Sequence, residues 1–184
     1  MTGGEVGRLS MYASPPEPRE RVAARVLCLG NPLLADDALG AEVAGALAGR
    51  LPPGTEVVQN ELTGFGLLDD LLEVPRLVVV DTVRTGTGPP GTVHLIREDD
   101  LRSAPGPSPH YVGLLEMLHL ARTLGLPAPQ EVVVLAVEAS DCTTIGGAMH
   151  PALQEAVSLV VELVVGILQD WAQPAPVSRC TSWL

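Results

Sequence analysis

The stretch Gly30-Asn31-Pro32-Leu33-Leu34-Ala35-Asp36-Asp37-Ala38-Leu39-Gly40 contains the residues best suited to chemistry. Gly30 and Asn31 fit a tight turn leaving a strand, and two adjacent acids then open a helix. The acids have an ordinary structural use, with Asp36 capping the helix and Asp37 answering the positive end of its dipole. They equally offer oxygen ligands or a general base. A further acid, Asp81, closes the apolar run Arg76-Leu77-Val78-Val79-Val80. There it is either a turn-former or a group at the edge of a sheet where ligands bind. His110, in Ser108-Pro109-His110-Tyr111, directly precedes a helical pattern. A loop histidine in that place faces solvent, caps the helix or binds a ligand. Two carboxylates and an imidazole, if they converge, form a mixed oxygen and nitrogen set suited to nickel or zinc with positions left open.

Other chemistries lack their residues. The chain contains no G-x-G-x-x-G, G-x-S-x-G, H-E-x-x-H or C-x-x-C pattern, and acids at a helix start repel a pyrophosphate. Cys28 alternates inside an apolar run and reads as an inert core thiol. His94 and His119 read as face residues, His150 as a helix cap, and Asp69-Asp70 and Asp99-Asp100 as solvated helix charges.

The elements that must position these groups follow from the pattern. The spacing predicts strands over 25–30, 55–59, 76–81, 91–97 and 131–138, and helices over 37–51, 65–73, 111–124 and 151–170. The Gly- and Pro-rich link before residue 91 is too short for a crossover helix, so the fourth strand is expected to run antiparallel. The result is an α/β fold: one domain of three α/β/α layers around a five-stranded, mostly parallel sheet. Ligands in such sheets bind beyond the carboxyl ends of the parallel strands. The 98–109 connection is long enough to climb back to that edge, since about 12 extended residues span roughly 40 Å. His110 is therefore expected beside Asp37 and Asp81.

The chain has 184 residues, 46% of them hydrophobic, and a formal net charge of -11. That length suits a single domain and that composition excludes a disordered chain. The acidic balance argues against nucleic acid or an anionic membrane as partner. No apolar run approaches the ~18 residues of a membrane span. Three scattered cysteines and no apolar leader point to a cytoplasmic protein. Residues 1–24 and 171–184 read as flexible extensions flanking a domain at 25–170.

Taken in order, Gly30-Asn31 with Asp36-Asp37, LVVVD at 77–81, PGTVHLIR at 90–97, SPHYVGL at 108–114 and VVVLAVE at 132–138 resemble the nickel–iron hydrogenase maturation endopeptidases. The resemblance covers about residues 25–168. It implies a phosphorylase/hydrolase-like arrangement. It also implies an endopeptidase of metal-dependent or aspartic type that removes the C-terminal extension of the hydrogenase large-subunit precursor after nickel insertion. The metal-contacting positions become Asp37, Asp81 and His110, with Asp36, Asp37 and Asp81 as the catalytic acids. Nickel arrives with the substrate, and zinc or another divalent ion is the alternative for the isolated protein. Asp37 stands where many relatives have Glu, and Gln59-Asn60-Glu61-Leu62-Thr63-Gly64 lacks the Gly-Gly-Thr common after the second strand. A non-catalytic chaperone that binds the nickel-loaded precursor is the competing expectation.

Overall fold

The computed structural model describes residues 22–97, 100 and 109–173. Its strands are β1 (Ala24–Leu29), β2 (Thr55–Asn60), β3 (Arg76–Val83), β4 (Val93–Arg97) and β5 (Glu131–Glu138). They form one sheet in the order β2-β1-β3-β5-β4. The first three neighbouring pairs are parallel and β4 runs antiparallel against β5, as the short 84–92 link requires. The helices are α1 (Leu39–Ala46), α2 (Leu68–Leu71), α3 (Pro109–Thr123) and α4 (Pro151–Ala172), with 3-10 turns at Asp36–Ala38 and Gly64–Leu67.

Helices cover both sheet faces, which is why the central strands read as unbroken apolar runs. Val26, Cys28, Val78, Val80 and Leu135 face α1 and α4, where they meet residues such as Val43 and Val160. Leu27, Leu29, Val79, Val134 and Ala136 face the other layer and meet Leu71, Leu114 and Leu118. Each fully buried Val or Leu stabilises the fold by about 1.5–3 kcal/mol. An exposed pair such as Arg50–Glu162, at 2.7 Å, contributes about 0–1 kcal/mol, so the two apolar clusters decide stability.

Several expectations change. The helix foreseen over 37–51 is a 3-10 turn followed by α1, which stops at Ala46 before Gly49 turns at φ +74°. Leu47, just beyond, is still buried. The helix foreseen over 65–73 shrinks to the Gly64–Leu67 turn and α2. β3 continues past Asp81, because Asp81, Thr82 and Val83 stay paired with Ala136, Val137 and Glu138. The expectation that no segment is long and apolar enough to span a membrane fails for α4, which has 22 residues and a mean hydropathy of 1.7 in its most apolar window. The burial of Leu153, Val160, Val164 and Leu168 against the sheet, with Glu155 and Glu162 outside, accounts for that composition as a core helix. The boundaries of the expected extensions also shift, since β1 begins at Ala24 and α4 reaches Ala172. The rest of both extensions, 1–21 and 174–184, lies outside the described residues.

Candidate active site at the carboxyl edge of the sheet

β1 delivers its chain to the sheet edge through Gly30, whose φ of +126° is open to glycine. A Cβ there would sit 2.2 Å from the backbone oxygen of Asp37, so only glycine lets the Asp36–Ala38 turn fold back over the strand end. The fold-back brings Asp37 Oδ2 onto the backbone N–H of Asn31, which donates at 2.7 Å. Thr82 Oγ1 donates to Asp37 Oδ1 at 2.9 Å, and the Thr82 N–H donates to Asp81 Oδ1 at 2.8 Å. One residue of β3 therefore holds both acids. Alternation explains how: Asp81 shares the face of Val79 and Val83, and Thr82 shares the face of Val78 and Val80. Both carboxylates are buried, Asp37 at 8% exposure and Asp81 at none.

Asp36 points elsewhere. Its Oδ2 accepts the N–H groups of Ser140 and Asp141, both at 2.8 Å, and its Oδ1 accepts that of His150 at 2.6 Å. The capping expectation is thereby corrected, since neither the 3-10 turn nor α1 has a side-chain cap and Asp36 instead fastens the loop between β5 and α4. Backbone pairing closes the same seam, with Ala35 N–H to Thr144 O at 3.1 Å, Asp36 N–H to Asp141 O at 2.9 Å and a bridge between Leu34 and Ile145. Asp141 organises that loop. Hydrogen bonds from Thr144 and Thr143 hold its carboxyl well below the usual range. Cys142, from the same loop, places its Sγ 3.7 Å from Thr82 Oγ1. Burial pushes this thiol up to about 11, against the opposing bond from Thr82 and with Asp37 and Asp36 adding to the rise. It is a neutral thiol at pH 7, unsuited to attack.

His110 lies in the first turn of α3 rather than before the helix, and its side chain falls outside the described residues. The helix itself is located by Gly113, where a Cβ would stand 2.7 Å from the backbone nitrogen of Gly64. That contact brings the N-terminal half of α3 to the loop that leaves β2, at the edge where Asp37 and Asp81 stand. Among the described residues no three His, Cys, Asp or Glu side chains group closely enough to hold a metal ion.

The remaining candidates fall out as follows. Cys28 is fully buried, and burial pushes its thiol up to about 12. His150 caps α4, its Nδ1 accepting the Ala152 N–H at 3.2 Å. Asp70 is not simply solvated, because it accepts from Asn60 Nδ2. Asp99 lies outside the described residues. Sequence reasoning passed over Thr82 and Cys142. The available signal for Thr82 was its place one residue beyond an edge acid, where alternation turns its hydroxyl to the opposite face.

Comparisons with known proteins agree with this architecture. A sequence model of the hydrogenase maturation protease family matches residues 42–167. The chain is 28% identical over 147 residues to the hydrogenase 2 maturation protease of Escherichia coli strain K12, covering 74% of this chain and 90% of that one. It is 27% identical over 151 residues to the hydrogenase expression/formation protein HupD of Bradyrhizobium diazoefficiens, covering 79% of this chain and 78% of that protein. Among solved structures, the hydrogenase maturating endopeptidase HybD from E. coli superposes with a TM-score of 0.72 at 26% identity, over 82% of this chain and 94% of that one. The strand order, the joined acids at the carboxyl edge and the family match lead to one conclusion: the chain belongs to the hydrogenase maturation protease family.

Proposed function

We propose that this protein is an endopeptidase that removes the C-terminal extension of a nickel–iron hydrogenase large-subunit precursor once nickel has been inserted. The observation that carries the reading is the Thr82 link, which holds Asp37 and Asp81 together at the sheet edge. The precursor presents its nickel as part of the substrate, and Asp37, Asp81 and His110 are the groups that contact it. Asp37 fits the task because each of its oxygens takes a single donor, leaving a lone-pair direction on each. In the isolated protein the same donors would take zinc or another divalent ion.

The roles of the acids divide by their bonds. Asp37 is the less deeply buried of the two edge acids, so it is the one to take a proton from a water attacking the scissile carbonyl. Asp81, held by the same threonine, supports the same centre. Asp36, its oxygens occupied by three backbone N–H groups, is a positioning residue that fixes the turn carrying Asp37. A reducing, cytoplasmic setting belongs to the same reading and is supported by the free thiols of Cys28 and Cys142.

The test is incubation of a nickel-loaded precursor with wild type, Asp37→Asn, Asp81→Asn or His110→Ala, followed by intact mass measurement. Cleavage by wild type alone, with all four proteins equally folded by circular dichroism, is the expected result. Normal processing by any two of the variants would sink the site.

A further inference from the structure

Thr82 Oγ1 stands between two groups, Asp37 Oδ1 at 2.9 Å and Cys142 Sγ at 3.7 Å. A hydroxyl carries one proton to donate and two lone pairs to accept with. An ionised carboxylate only accepts, so the Thr82 proton goes to Asp37 and a lone pair is left toward Cys142. A thiol fills that place by donating, provided that it keeps its own proton. Burial makes it do so, pushing the Cys142 thiol up to about 11, against the opposing bond from Thr82 and with Asp37 and Asp36 adding to the rise. The order of protons along the chain of three groups is then set, S–H to hydroxyl oxygen and O–H to carboxylate. A thiolate in the same place would compete for the hydroxyl proton and turn it away from Asp37.

The thiol is held from its own side as well. The N–H groups of Ser140 and Asp141, the two residues before it, each donate to Asp36 Oδ2 at 2.8 Å. The N–H groups of Thr143 and Thr144, the two residues after it, donate to Asp141 Oδ1 at 2.9 and 3.1 Å. Backbone bonds thus flank Cys142 on both sides, and its half-buried side chain packs against the apolar cluster that α4 shares with the sheet. Sulfur is a weak donor, so this bond matters for the direction it gives the hydroxyl more than for its own strength.

We infer that Cys142 is a positioning residue for the cleavage reaction, its thiol aiming the Thr82 hydroxyl at Asp37 so that the loop after β5, and not β3 alone, sets the direction of that carboxylate. This rests on the proposed endopeptidase reading, in which Asp37 is the base. Cys142 forms no covalent bond in the reaction and acts only through Thr82. Its removal therefore weakens the chemical step and leaves affinity alone.

The test is a double-mutant cycle on nickel-loaded precursor with wild type, Cys142→Ala, Thr82→Val and the two together, reading kcat and KM by intact mass and the fold by thermal unfolding. Cys142→Ala is expected to lower kcat about three- to ten-fold with KM unchanged, because the hydroxyl loses the donor that fixes its rotamer. In the Thr82→Val background the same change should alter kcat by less than about two-fold, since the relay is already cut. Infrared difference spectra against the matching Cys142→Ala protein isolate the Cys142 S–H stretch without any precursor. That stretch should lie at lower frequency in wild type than in Thr82→Val. An unchanged stretch, an unchanged kcat in Cys142→Ala, or an equal loss of kcat in both backgrounds would overturn the positioning role, while cleavage by wild type keeps the endopeptidase reading standing. Failure of wild type to cleave the loaded precursor would overturn that reading and the role of Cys142 with it.

Discussion

At the scale of single residues, the account turns on two carboxylates and the threonine between them. Asp37→Asn leaves the Asn31 and Thr82 donors facing an amide with one acceptor, so it should reduce processing about a hundred- to ten-thousand-fold, the usual worth of a general acid or base. Stability should fall too, by about 1–3 kcal/mol, because Asp37 is buried and one of its two donors would meet the amide N–H2. Thr82 has a separate signature. Thr82→Val keeps the N–H bond to Asp81 and removes the hydroxyl that donates to Asp37 and accepts from Cys142 Sγ, within a similar buried volume. Loosening Asp37 should lower kcat about ten- to hundred-fold, with KM unchanged, and Thr82→Ser should restore most of it. Equal kcat for Thr82→Val and wild type would remove Thr82 from the site. The placement of Asp37 and Asp81 at one sheet edge was legible because an acidic pair after Gly-Asn and an acid closing a β-branched run are unusual places for charge. Thr82 was not legible, since a threonine in a strand has an ordinary reading and its partner lies 45 positions away.

At the scale of elements, the seam between the turn after β1 and the loop after β5 positions the site. Asp36 is its fastening, so Asp36→Asn should act first on stability, losing about 1–3 kcal/mol as one backbone N–H meets an amide donor. A lowered urea midpoint with residual cleavage is the expected pattern; unchanged stability with abolished cleavage would make Asp36 a catalytic group instead. The periodicities read correctly for β5 and for the start of α4 because both are long and strongly patterned. They failed around α1, where 3-10 geometry and Gly45 and Gly49 end the helix although Leu47 and Leu51 continue its spacing. They failed for Asp36 as well. A cap is a local bond that sequence can suggest, whereas three donors from residues 140, 141 and 150 become visible only once the sheet has assembled. The start of α3 slipped by two residues because Pro109 suits a first helical turn.

At the scale of the whole molecule, acid should expose another built-in dependence. Glu138 ends β5 almost fully buried, accepting Thr85 Oγ1 and the Gly86 N–H, each at 2.6 Å. Burial pulls its pKa upward, but the bonds from Thr85 and Gly86, with His94 nearby, outweigh that and hold it below the ordinary value. A depressed pKa contributes stability that is complete above the unfolded value of about 4.3 and is lost as pH falls through the folded one. The stability gap between wild type and Glu138→Gln should therefore be widest near neutrality and shrink below about pH 4, measured by urea unfolding across pH. A gap that grew in acid would contradict the assignment. The function of the assembled molecule rests on whether its edge acids act only on loaded substrate. The most direct measurement is the intact mass of a matched large-subunit precursor, nickel-loaded or nickel-free, after incubation with this protein. Loss of the C-terminal extension from the loaded precursor alone is the predicted result, and equal cleavage of both, or of neither, would contradict it.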